Sequence, residues 1–112
     1  MAKYESFLTG DFDQILNRIH QEIINGSMSA SYEDGSDYRA DGIRCAVRVY
    51  ERYSMLGGNR VSLNVTLLQS GGRIFLSGIT SGGSQAVFFK LNTVGEEGFL
   101  DCLREIAETY RR

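Results

Sequence analysis

Ile43-Arg-Cys-Ala-Val-Arg-Val-Tyr-Glu-Arg-Tyr53 alternates without a break, and its reading decides the fold. Side chains point to opposite faces along a strand, so every second residue shares a side. Ile43, Cys45, Val47, Val49 and Tyr53 fall on one side; Arg44, Ala46, Arg48, Tyr50 and Arg52 fall on the other. The aliphatic side is read as the core side and the arginine side as the open, cationic one. A turn is expected at Leu56-Gly57-Gly58-Asn59. After it Val61, Leu63, Val65 and Leu67 face in, while Ser62, Asn64 and Thr66 face out. Ser70-Gly71-Gly72 turns the chain again, and Arg73 to Thr80 runs back. The stretch from Ile43 to Thr80 therefore predicts a three-stranded antiparallel meander.

Upstream, Asp11 with Gln14 three residues on makes a capping box. Phe12, Ile15, Leu16, Ile19 and Ile23 follow at helical spacing, which predicts a helix over Phe12–Ile24 ending at Asn25-Gly26 in a left-handed cap. Tyr4 to Leu8 has the content of a short edge strand. Ser27 to Asp34 alternates and reads as a strand, with Asp34-Gly35-Ser36-Asp37 as its turn. Tyr38-Arg39-Ala40 is either loop or an extension of that strand, and Asp41-Gly42 is a second turn. Downstream, Ala86-Val-Phe-Phe-Lys-Leu91 is either a further strand or a lead into the last helix. That helix is expected from about Val94 to Tyr110, behind a second capping box at Thr93 and Glu96. Gly95 and Gly98 weaken its first turn and are expected to let it approach the sheet closely.

The order is strand, helix, four strands, helix. It predicts an α+β domain with an antiparallel sheet of about four to five strands and two helices packed on one face. The 112 residues suit a single domain with one core. With 42% apolar and 23% charged residues the composition is that of a globular protein, and no apolar run reaches the ~20 residues of a membrane span. The first residues lack the apolar centre of a signal peptide. Cys45 and Cys102 are read as buried thiols, so the expected location is the cytoplasm.

The net charge of −2 hides a segregation: residues 1–42 carry −5, residues 43–90 carry +5 and residues 91–112 carry −2. Such an arrangement sets up a local field even when the total is small. An acidic protein with few aromatics on its polar face does not fit a nucleic-acid binder, which normally shows a strong basic footprint.

Four stretches also carry a resemblance. Phe7-Leu-Thr-Gly-Asp-Phe-Asp13, Ser29-Ala-Ser-Tyr-Glu-Asp-Gly-Ser-Asp37, Arg44-Cys-Ala-Val-Arg-Val-Tyr-Glu-Arg-Tyr-Ser54 and Ser77-Gly-Ile-Thr-Ser-Gly-Gly-Ser-Gln-Ala-Val-Phe-Phe-Lys90 are similar to a group of small bacterial proteins classed as a domain of unknown function. The resemblance implies no activity, cofactor or active site. The element order alone also resembles TATA-binding-protein-like and helix-grip folds, an analogy that carries no function.

The candidate sites follow from the alternation. Arg44, Arg48 and Arg52 form a row whose guanidinium groups suit phosphate or carboxylate. Tyr50 shares their side, and Ser62, Asn64 and Ser77 offer neutral hydrogen bonds from neighbouring strands. Together they would make a platform for a small anionic ligand, or a self-matching surface for a homodimer. A second candidate is the loop at Gly82, Gly83 and Ser84 beside Lys90, a backbone nest for an anion that lacks the ending of a phosphate-binding loop. No catalytic residues, metal ligands or cofactor are assigned: His20 is the only histidine, and no nucleophile elbow is present. The sequence reading is thus a non-enzymatic binding domain. Its rival is an enzyme with a pocket between the last helix and the Gly82-Gly83 loop.

Overall fold

The computed structural model describes residues 1–26, 29–53, 60–82 and 89–111, with the side chains of the last helix described from Glu97 on. The elements run β1 (Ala2–Leu8), α1 (Phe12–Asn25), β2 (Ser31–Ala40), β3 (Ile43–Tyr53), β4 (Arg60–Ser70), β5 (Arg73–Gly82) and α2 (Phe89–Tyr110). The strands form one antiparallel sheet in the order β1-β5-β4-β3-β2. The α+β class and the helix–strand order are those the sequence pattern predicts.

Local chemistry explains the joints. The Asp11 carboxylate accepts the Gln14 backbone N–H at 2.9 Å and caps α1. Gly26 closes the same helix, donating to the Glu22 carbonyl at 2.8 Å. Its φ of −79° is right-handed, so the expected left-handed cap is not the one used. Asp41 and Gly42 both take positive φ, 46° and 80°, as a two-residue hairpin turn between β2 and β3 requires.

Both helices lie on one face of the sheet. Phe12, Ile15, Ile19 and Ile23 of α1 and Phe99, Leu100, Leu103 and Ile106 of α2 are buried against Val61, Leu63, Val65 and Leu67 of β4 and Ile74 and Leu76 of β5. Fully burying each such side chain contributes about 1.5–3 kcal/mol. Gly78 of β5 fixes how closely α2 approaches, because an added Cβ there would collide with Leu103 and stand 3.2 Å from Leu100. Thr9 N–H donates to the Tyr110 carbonyl at 2.7 Å, which ties the end of β1 to the end of α2.

Two local readings need correction. Asp34-Gly35-Ser36-Asp37 is not a turn; it lies inside β2, which starts at Ser31 and takes in Tyr38-Arg39-Ala40. A register shift between Tyr32 and Asp34 leaves Glu33 as a bulge, and long pairing with β3 overrides the turn propensity. As an edge strand β2 keeps its charges, which discourages edge-to-edge aggregation. The last helix begins at Phe89, so Thr93 and Glu96 lie within it instead of capping it. The expected turn at Leu56–Asn59, residues 27–28 of the expected second strand and the segment Ala86–Phe88 lie outside the described residues.

The largest correction concerns β3. Its arginine side, not its aliphatic side, faces the helices. Cross-strand partners share a face, and the register pairs Ala46 with Leu67, Arg48 with Val65, Tyr50 with Leu63 and Arg52 with Val61. Those β4 residues are buried, so their partners turn inward with them: Ala46 is 1% exposed and Tyr50 0%. A slip of one residue would have given the opposite arrangement.

Candidate functional site

The inward turn of β3 scatters the expected anion platform. Arg44 reaches α1, donating to both Asp13 carboxylate oxygens at 3.0 and 2.8 Å, with its guanidinium 4.2 Å from the centre of the Phe12 ring. That hydrogen-bonded guanidinium holds the Asp13 carboxyl below its ordinary range. Arg48 donates to Asp37 at 2.9 Å and to the Val47 and Ser36 carbonyls. Arg52 stacks 4.5 Å from the Phe99 ring centre, in space left by Gly98, where a Cβ would stand 3.1 Å from its guanidinium. Arg44 and Arg52 thus lay their planar heads on core rings, while Arg48 is held by Asp37 and two backbone carbonyls. This is how a cationic row occupies the helix side.

Tyr50 sits deeper. Its hydroxyl lies 3.0 Å from His20 Nδ1, and its ring, with His20 and Tyr32, forms a cluster whose centres are 5.5–5.7 Å apart. Burial pushes the Tyr50 phenol up to about 12. Ser62, Asn64 and Ser77 remain on the far, helix-free face, with Ser62 bonded to Ser81 across β4 and β5 at 2.9 Å. The sheet itself therefore separates the arginines and Tyr50 from the three neutral residues meant to complete their platform. Of the second candidate site, Gly82 ends β5, while Gly83, Ser84 and the Lys90 side chain lie outside the described residues. The rival pocket beside Gly82-Gly83 lies there too.

What the fold presents instead is an apolar open face. The registers align Phe7, Phe75, Leu68, Cys45 and Tyr38 in one row across all five strands. Phe7 is 49% and Tyr38 66% exposed, and the Phe7 and Phe75 rings stand 5.5 Å apart. The next row is Glu5, Ser77, Thr66, Val47 and Ser36; beyond it come Lys3, Ile79, Asn64, Val49 and Asp34. Ile43, Val47, Val49 and Ile79 extend the apolar surface; charge on this face sits on the edge strands at Lys3, Glu5 and Asp34, and inside the sheet at Arg73, which shares the Ile43 row and lies over the Phe7 ring, and at Glu51.

Alternation within β3 misassigned this row, but a signal for it exists in the sequence. Phe7-Leu8, Leu67-Leu68 and Ile74-Phe75 are adjacent apolar pairs on three strands. A strand with water on one face needs only one member of each pair. Pairs at matching levels of neighbouring strands mark a band that is apolar on both faces.

Elsewhere the surface is shallow. An open depression of about 660 Å³ between α1 and α2 is lined by Gln14, Asn17, Arg18, Gln21 and Tyr110. Among the described residues no group of three or more His, Cys, Asp or Glu side chains is placed to hold a metal ion, and no helix is long and apolar enough to cross a membrane.

An antiparallel sheet with both helices on one face and, among the described residues, an apolar band without a helix on the other defines an α+β protein of two layers. The chain belongs to the family of unknown function DUF6054, whose model matches residues 1–111. No curated protein and no solved structure matches it.

Proposed function

We propose that this chain is a single, non-enzymatic interaction domain whose open sheet face is its contact surface with another protein surface. The observation that carries the reading is the row Phe7, Phe75, Leu68, Cys45 and Tyr38, which crosses five strands with no described helix over it. Contiguous apolar surface rimmed by polar residues is characteristic of a protein–protein contact. The small anionic ligand is the weaker half of the sequence reading. An anion would reach Arg44 and Arg48 only in competition with Asp13 and Asp37, and Arg52 only from its seat on Phe99. Cys45 and Cys102 are both free thiols, which fits work in the reducing cytoplasm.

Cys45 lies in the middle of the face and reports on it directly. In an extract of the host cell, its alkylation is expected to be slower in the native chain than in Phe75→Glu, which breaks the apolar row. Cys102 on α2 serves as the reference and should react alike in both. Equal Cys45 rates would mean that nothing covers the face, and the reading would fall.

A further inference from the structure

We infer that the occupant of the open face is a second copy of this chain, related to the first by a two-fold axis running along β4. The inference rests on the interaction-domain reading and names its partner. β4 is the central strand of five, with β5 and β1 on one side and β3 and β2 on the other. A two-fold axis lying between two stacked sheets and parallel to β4 keeps each row level and exchanges its ends. Leu68 then faces Leu68 of the partner subunit, and Phe75 covers the partner's Cys45. Phe7 meets the partner's Tyr38. One row further, Ser77 lies over the partner's Val47, and Thr66 meets its own copy.

One charged pair follows the same operation, while Glu5, Arg73 and Glu51 lie over the partner's Ser36, the partner's Ile43 and the partner's Ser81. In the row Lys3, Ile79, Asn64, Val49 and Asp34, the basic end lies on β1 and the acidic end on β2. Exchanging the ends brings Lys3 against the partner's Asp34, and Asp34 against the partner's Lys3. Apolar Ile79 covers the partner's Val49 between them. Both charged residues are exposed in the single chain. Complementary charge at a rim sets register and suppresses wrong pairings more than it adds affinity. Here it selects the strand-parallel axis. A two-fold perpendicular to the strands would instead keep Lys3 on the same side as the partner's β1, and no basic residue would meet Asp34.

The area is sufficient. Strands about 4.8 Å apart and successive same-face residues about 6.8 Å apart give about 600 Å² of sheet per copy over four rows, or about 1,200 Å² for the pair. Specific interfaces begin at about that size. Two antiparallel sheets packed in this way form an aligned sandwich about 10 Å thick between backbones, with the side chains of both open faces as its filling.

The charge pattern supplies the test, read by sedimentation velocity of the purified chain over a range of concentrations. The native chain is expected to be a dimer. Lys3→Asp places two like-charged contacts at the rim of its own dimer, and so does Asp34→Lys, so each is expected to weaken self-association about tenfold. Mixing the two variants restores both opposite-charge contacts, and the mixture is expected to form a heterodimer as tight as the native dimer. The double variant Lys3→Asp/Asp34→Lys should recover as well. A dimer indifferent to either charge reversal, or a mixture that fails to recover, would overturn the axis. A native chain that stays monomeric at every concentration would overturn the second copy. If Cys45 is nevertheless protected in the host extract, the face belongs to a different protein and the interaction-domain reading stands. If Cys45 is unprotected there as well, both readings fall.

Discussion

Tyr50 brings a hydroxyl into the core, and that hydroxyl meets His20 at the edge of α1. Removing that hydroxyl in Tyr50→Phe leaves His20 partly exposed and able to find water. The expected loss is therefore modest, about 1 kcal/mol, seen as a lower denaturant midpoint. The phenol also makes stability depend on alkaline pH. Its folded value of about 12 lies above the ordinary 10, so the unfolded chain loses this proton first. The contribution is whole below pH 10 and is lost as pH rises towards 12. Denaturation of the parent and of Tyr50→Phe should accordingly converge across that window. Asp13 works in the opposite direction. Arg44 lowers its folded pKa, so the pair contributes above the unfolded carboxyl value, about 3.9, and its contribution disappears as pH falls through the lower, folded value. Comparing Asp13→Asn with the parent should show a difference at neutral pH that vanishes in acid. A difference that survives in strong acid would mean that Asp13 acts through something other than its charge.

At the scale of the element, the tightest constraint is the contact of α2 with β5 at Gly78. Gly78→Ala forces a methyl group against Leu103 and Leu100, and the expected destabilisation is about 1–3 kcal/mol, measurable by thermal or chemical unfolding. Periodicity made α1 legible to within a residue, since a capped stripe of Phe12, Ile15, Ile19 and Ile23 admits one helix and one buried side. It also made the inward residues of β4 legible. It failed at β3, where both sides have something to bury. Ile43, Cys45, Val47 and Val49 are more apolar, yet Ala46 and Tyr50 fill the core because the pairing with β4 places them there. Face assignment in such a strand is a tertiary property, set by register and not by composition. The arginines were misleading for the same reason: stacked on Phe12 and Phe99, their long stems behave as core walls. β2 was hidden by its own polarity, as an edge strand of Asp, Ser and Gly resembles a loop until its partner is known.

Over the whole molecule, stability should be graded across the sheet. β4 is paired on both sides and covered by helices, whereas β1 and β2 are each paired with one strand, β1 being further bridged only at Leu8, by Arg111, among the described residues. Hydrogen exchange is expected to be slowest in β4 and β5 and faster in the outward-pointing amides of β1 and β2. In the proposed dimer, added protection should extend over the open face, while the outer surfaces of α1 and α2 exchange as in the monomer. The sheet order has a consequence for synthesis as well. β1 is the first of the five strands in chain order, but the strand it pairs with is β5, and the pairing of Leu8 with Ile74 waits until β5 has been made. At ordinary rates of translation that delay is on the order of 4–15 s. During it α1 can form locally, but β1 has no ladder to join. The seam between β1 and β5 therefore cannot close before β5 is made, and its tie from Thr9 to Tyr110 waits for the end of α2.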